Sequence, residues 1–181
     1  MAISLLGAFA SFSTLAAGKE WEQHADCRYL ENKNNDGDSF RVSCGVREYI
    51  LRLYYVDAPE TNLSVASRVA EQREYFKVPT EAVLATAEAA TKRVRVLLQQ
   101  PFSVATKWTT AGGRSKELRY YGLIVVGGRQ LGEILVSEGL ARTKGVVVNL
   151  PNGEHATAYL AKLRRLEREA KTQRRGIWAY S

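Results

Sequence analysis

The residues of this sequence best suited to chemistry are rich in oxygen. Asp36-Gly37-Asp38 stands at an expected strand turn, and Arg52 lies in an expected strand that runs into Asp57-Ala58-Pro59-Glu60. Carboxylates are hard donors, and a site built from them selects a hard cation such as Ca²⁺ or Mg²⁺. Pro59 disfavours helical backbone at Ala58, so the segment stays extended and the Ala58 carbonyl, free of helical pairing, is available as a further oxygen ligand. Other chemistries find little to work with. His24 and His155 are the only histidines, and neither has a metal-ligand spacing around it, which argues against a zinc site or a Ser-His-Asp triad. Taken singly, each acidic piece also reads as ordinary structure, because Asp-Gly is a common hairpin turn and Asp-x-Pro-Glu can simply open a loop.

The elements that must position these residues begin with strands over Asp26 to Leu30, Ser39 to Cys44 and Tyr49 to Val56, separated by Asn, Asp and Gly turn chemistry. Glu71 to Val78 is polar and gives no clear element. Pro79-Thr80 then introduces a helix on which Val83, Ala87, Ala90, Val94 and Leu97 share one face, with Thr80 as its N-cap and Pro101 ending it. Strands follow over Phe102 to Trp108 and Tyr120 to Val126. Leu131 to Glu138 reads as a short helix stopped by Gly139, and Ala156 to Arg174 as a longer one carrying Leu160, Leu163, Leu166 and Ala170 on one side. Gly176 suits the C-terminal cap of that helix, and Ile177 and Trp178 are expected to fold back onto the body. Five short strands, one helix before the fourth and two after the fifth, are compatible with an α+β fold built on a small Greek-key barrel.

The bulk of the chain sets outer bounds. With 181 residues, 45% of them hydrophobic, it is long enough for one globular domain with a real core and is not composed like a disordered chain. Lys and Arg number 26 against 19 acidic residues, a net charge of +7, so the surface should attract a polyanion or an anionic membrane. Met1 to Gly18 carries no charged side chain, and the apolar run Ile3 to Ala17 ends in Leu-Ala-Ala-Gly, the pattern of a signal-peptide core with a small-residue cleavage site but without a positive n-region. That run is shorter than the roughly 20 residues a spanning helix needs. The expectation is a leader over 1–18 and a single domain over 19–181, secreted or periplasmic, monomeric and without lasting membrane association after cleavage. Cys27 and Cys44 flank the Asn34-Asn35-Asp36-Gly37 turn almost symmetrically. A hairpin there would let them form a disulfide, whereas a one-residue change of register would leave them as two small buried hydrophobes on opposite faces.

In combination the acidic pieces say more. Asp36-Gly37-Asp38 followed by Arg52-Leu53-Tyr54-Tyr55-Val56-Asp57-Ala58-Pro59-Glu60-Thr61 closely resembles the central signature of the staphylococcal nuclease (thermonuclease) family. Downstream, Arg119 leads into an apolar strand and Gly127-Gly128-Arg129, and Leu131 to Ala141 is similar to the family's helix after its last barrel strand. Leu163 to Trp178 looks like its terminal helix, so the resemblance covers roughly Cys27 to Trp178.

The resemblance implies an OB-fold, a five-stranded Greek-key barrel with three helices, and one Ca²⁺ beside two arginines. Asp38 and Asp57 would be the side-chain metal ligands, with the Ala58 carbonyl beside them. Glu60 would position or deprotonate the attacking water, and Arg52 and Arg119 would hold the phosphate oxygens. Where the family has Tyr-Gly before the second arginine this chain has Glu117-Leu118, which makes Arg114 the alternative, although counting back from Gly127-Gly128 favours Arg119. The activity implied is Ca²⁺-dependent hydrolysis of DNA and RNA with low sequence specificity, preferring single strands and leaving 3'-phosphate ends. The competing class is a catalytically silent OB-type module that binds nucleic acid or protein. After Ala141 the family often carries tyrosines beside the bound nucleotide, whereas this chain reads Arg142-Thr143-Lys144-Gly145-Val146-Val147-Val148.

Overall fold

The computed structural model describes residues 20–112 and 117–181; the expected leader and Arg114 lie outside the described residues. The barrel strands are β1 (Glu22–Tyr29), β2 (Ser39–Cys44), β3 (Arg47–Leu53), β5 (Phe102–Ala111) and β6 (Arg119–Val126), and two-residue strands β4 (Val56–Asp57), β7 (Arg129–Gln130) and β8 (Arg142–Thr143) are added to them. The helices are α1 (Ala66–Phe76), α2 (Thr80–Leu97), α3 (Leu131–Ser137) and α4 (Ala156–Thr172).

The strands run in the order β3-β2-β1-β5-β6, and a parallel pairing of β3 with β6 closes them into a mixed five-stranded barrel. The alternation of apolar side chains dictates what faces in. Phe40 and Val42 of β2, Leu51 and Leu53 of β3, Val104 of β5 and Ile124 of β6 are all buried, and α2 adds Ala90 and Val94 to the same core. A second, smaller core lies under α1, where Val69 and Phe76 meet Val83 of α2, Ala170 of α4 and the chain end at Ile177 and Trp178.

The fold is therefore the OB-type barrel expected, with particulars that differ from the sequence reading. There are four α-helices among the described residues, not three. The extra one, α1, has buried Val69, Gln72 and Phe76 on one face, and a buried glutamine in that stripe disguises its apolar period. The strand read as Tyr49 to Val56 breaks after Leu53. Tyr55 takes a left-handed φ of 70°, and its backbone N–H donates to the Val146 carbonyl at 3.0 Å instead of to a barrel strand. Thr80 is the first helical residue and makes no capping hydrogen bond, because Pro79 occupies the cap position. Past the end of α4, which is capped at Gln173, both Arg174 and Gly176 take a left-handed φ of 53°, so the residue that follows the cap directly is Arg174 and Gly176 lies two further on. Gly176 also serves close approach, since a Cβ there would lie 2.3 Å from the Gly139 carbonyl oxygen. Cys27 and Cys44 are joined in a disulfide, as the β1–β2 register of Arg28 with Ser43 and Tyr29 with Val42 requires.

Candidate active site

The closing seam of the barrel positions the site. β3 and β6 pair in parallel with Ile50 beside Arg119 and Arg52 beside Tyr121, so Arg52 and Arg119 emerge on the same face while Leu51 and Leu53 point into the core. The break at Tyr54-Tyr55 then turns the chain so that β4 pairs with β8, with Asp57 opposite Arg142.

Asp38 is brought to the same place by its turn. The Asp36 Oδ1 accepts from the backbone N–H groups of Asp38 at 3.1 Å and Ser39 at 2.6 Å, which fixes the loop. Gly37 lets that loop press against the rest of the site, since a Cβ would fall 2.8 Å from the methyl carbons of both Ala58 and Ala90. Asp38 Oδ2 then accepts from the Ala58 N–H at 2.8 Å, tying the turn to the Asp57-Ala58 segment.

One guanidinium reports that the two aspartates converge. Arg52 Nη1 lies 3.1 Å from Asp38 Oδ1, and its Nη2 lies 3.2 Å from Asp57 Oδ1. Both carboxylates are buried, each only 3% exposed, so neither is relieved by water. Burial pushes the Asp38 carboxyl well above the usual carboxylate range, against the charge of Arg52, and the nearby Asp36 and Asp57 carboxylates raise it further. Asp57 differs. Burial alone would raise it, but Arg142 and Arg68 outweigh that and hold its carboxyl below the ordinary value.

Around this pair a cleft of about 690 Å³ is lined by Arg52, Asp57, Glu60, Arg68, Arg119 and Tyr121, among others. Glu60 Oε1 accepts from Arg68 Nε at 3.0 Å, and the Glu60 backbone N–H donates to Gln72 Oε1 at 2.9 Å. Arg119 donates from Nη2 to the Gly112 carbonyl at 2.8 Å, while its Nε is buried without an acceptor among the described residues. A buried donor without a partner costs about 1–3 kcal/mol, so the Arg119 Nε is left with an unused capacity to donate.

The structure thus places Arg52, Asp57, Glu60 and Arg119 on the wall of one cleft, with Asp38 buried behind it against Arg52 and Ala58. The Ala58 carbonyl, expected to be free of helical pairing, accepts from the Gln72 side chain, from Nε2 at 3.1 Å. A carbonyl oxygen has two lone pairs, so one remains. Among the described residues no three or more His, Cys, Asp or Glu side chains form a ready metal cluster. The donor chemistry nevertheless fits one hard cation that keeps several waters, since two buried carboxylates meet the two ends of one guanidinium, with the Ala58 carbonyl next to Asp57.

Four participants escaped the sequence reading: Arg68, Glu71, Gln72 and Arg142. Arg142 is fully buried, with Nε 2.9 Å from Asp57 Oδ2, Nη1 2.7 Å from Glu71 Oε1, and its guanidinium carbon 4.7 Å from the centre of the Tyr75 ring. Arg68, Glu71, Gln72 and Tyr75 fall at helical spacing, the one signal that could have grouped them.

A small closed barrel with carboxylates and arginines gathered at its parallel seam defines an OB-type fold carrying a cleft lined by both signs of charge. The comparisons narrow this class: the family described as staphylococcal nuclease homologue matches residues 50–180, and the chain belongs to that family. The match takes in Arg52, Asp57, Glu60 and Arg119 and begins after Asp38. The chain is similar to Endonuclease YncB of Bacillus subtilis (strain 168), 30% identical over 146 residues that make up 81% of this chain and 59% of the relative. It is also similar to the SPbeta prophage-derived endonuclease YokF of the same organism, 28% identical over 144 residues, 80% of this chain and 41% of the relative. The chain thus spans about half the length of these relatives.

Proposed function

We propose that the chain is a nuclease, a Ca²⁺-dependent phosphodiesterase acting on DNA and RNA with low sequence specificity, favouring single strands and leaving 3'-phosphate ends. The observation that carries this reading is the convergence of Asp38 and Asp57 on Arg52, at 3.1 and 3.2 Å, where Arg52 and Asp57 line a cleft together with Glu60 and Arg119. Membership of the family and likeness to two proteins named endonucleases support it.

A divalent cation held by Asp38 and Asp57, with the Ala58 carbonyl beside them, would supply fixed positive charge to a phosphate oxygen. Glu60 takes the proton of the attacking water. The new P–O bond forms as the bond from phosphorus to the 5'-oxygen breaks, the phosphate stays on the 3' side, and the leaving oxygen is protonated. Arg52 and Arg119 hold the equatorial oxygens as they gain charge, a planar donor geometry that Lys lacks. Arg52 carries five N–H donors, and two suffice for its aspartates, so it has others for phosphate. Contacts of this kind read backbone rather than base edges, which supports low sequence specificity. Phosphate-binding arginines in a barrel groove reach a backbone more readily than paired base edges, which supports a preference for unpaired substrate. We further place the protein, as a monomer, in an oxidising compartment outside the cytoplasm. The Cys27–Cys44 disulfide supports that placement.

Removing a catalytic base typically costs about 10²- to 10⁴-fold in rate. Glu60→Gln is expected to lose that much turnover while its retention of DNA on a filter stays near wild type. Full activity in the variant would remove Glu60 from the mechanism.

A further inference from the structure

Arg68 has no part in the reaction proposed, although it holds two of the three carboxylates that the reaction needs, Asp57 and Glu60. Its Nη2 donates to Asp57 Oδ1, the same oxygen that Arg52 Nη2 approaches at 3.2 Å, and its Nε donates to Glu60 Oε1 at 3.0 Å. One guanidinium therefore bridges the metal-ligand candidate and the candidate base.

The neighbouring Arg142 is different in kind. It is fully buried, held by Glu71 from two nitrogens and covered by Tyr75, so it is a fixed part of the frame. Arg68 keeps 31% of its side chain exposed and lines the open cleft. Its helix is anchored independently of it, through Val69 and Phe76 in the second core and through Gln72 on the Ala58 carbonyl. Arg68 can leave the carboxylates without α1 leaving the barrel.

We propose that Arg68 is a positioning residue that acts as an internal counter-cation, holding Asp57 and Glu60 until a divalent cation displaces it. The proposal rests on reading Asp38 and Asp57 as a cation site. A guanidinium and a divalent cation directed at Asp57 Oδ1 compete for the same lone pairs, and each must weaken the other's hold by the same factor. The displaced guanidinium stays in the cleft, where phosphate oxygens are its natural new partner. The protein would thus hold its cation more weakly without substrate than with it.

The test is Ca²⁺ binding to the full protein by titration calorimetry, without nucleic acid, in wild type, Arg68→Ala and Arg68→Lys, with melting temperatures recorded to show that each is folded. Removing a partly exposed ionic competitor should tighten Ca²⁺ binding by roughly fivefold in Arg68→Ala. Arg68→Lys, which keeps the charge but loses the fork, should fall between. Adding inorganic phosphate should tighten Ca²⁺ binding more in wild type than in Arg68→Ala. Equal or weaker Ca²⁺ binding in a folded Arg68→Ala would overturn the proposal and leave the cation site standing. Failure of every protein to bind Ca²⁺ would overturn the cation site, and the proposal with it.

Discussion

Asp57 shows most plainly how this site is balanced. Its two oxygens are approached by Arg52, Arg68 and Arg142, so a carboxylate that is 3% exposed stays ionised. Of the three arginines, Arg142 is the one whose removal leaves nothing able to take its place, because it is enclosed between Asp57, Glu71 and the Tyr75 ring. Breaking a buried ion pair by deleting one partner costs about 3–5 kcal/mol. Arg52 and Arg68 still serve Asp57, so Arg142→Ala should lose about 3 kcal/mol, read as a lowered midpoint in urea at unchanged slope.

At the scale of elements, the site depends on three segments meeting: the Asp36-Gly37-Asp38 turn, the bend after β3, and α1. The turn can approach only because residue 37 has no side chain, with Ala58 and Ala90 both 2.8 Å from where a Cβ would stand. Overpacking of this kind costs about 1–3 kcal/mol. Gly37→Ala should show that loss in thermal unfolding and should also lose activity beyond it, since the added methyl pushes Asp38 away from Asp57.

Much of this was legible in the residues and part was not. The Asp-Gly-Asp turn and the Asp57-Ala58-Pro59-Glu60 segment carry their local geometry in their own types. The pairing of β3 with β6, which puts Arg119 on the face of Arg52, is a long-range contact that no local pattern encodes, and the position of Arg119 came through resemblance. Helix α1 was hidden because its inward face mixes Gln72 with Val69 and Phe76. Arg142 was hidden because a buried arginine has no periodic signature, and it becomes intelligible only once β4 pairs with β8 and sets Asp57 opposite it.

For the molecule as a whole, stability and site share the same charges. Glu71 links α1 to β8 through Arg142, whose hydrogen bonds lower its carboxyl from 4.5 to about 2, with Lys144 adding to the effect. A carboxyl lowered in the folded state stabilises fully above its unfolded value, and that contribution is lost as pH falls through the folded one. Melting temperature should therefore decline as pH falls from 4.5 towards 2, and Glu71→Gln should flatten that part of the decline. The gain is modest, because Glu71 is 43% exposed and solvent screens the pair. The net charge of +7 gives the molecule a field that attracts polyanions, and no described helix is long and apolar enough to cross a membrane.

The central claim, that carboxylates and arginines gathered at the barrel seam cleave phosphodiesters with the help of a divalent cation, is tested most directly by cleavage itself. Purified protein is given denatured DNA with Ca²⁺ or with EDTA, and the product ends are analysed. The account predicts fragments bearing 3'-phosphates with Ca²⁺ and intact DNA with EDTA. Intact DNA in both, or equal cleavage in both, would contradict it.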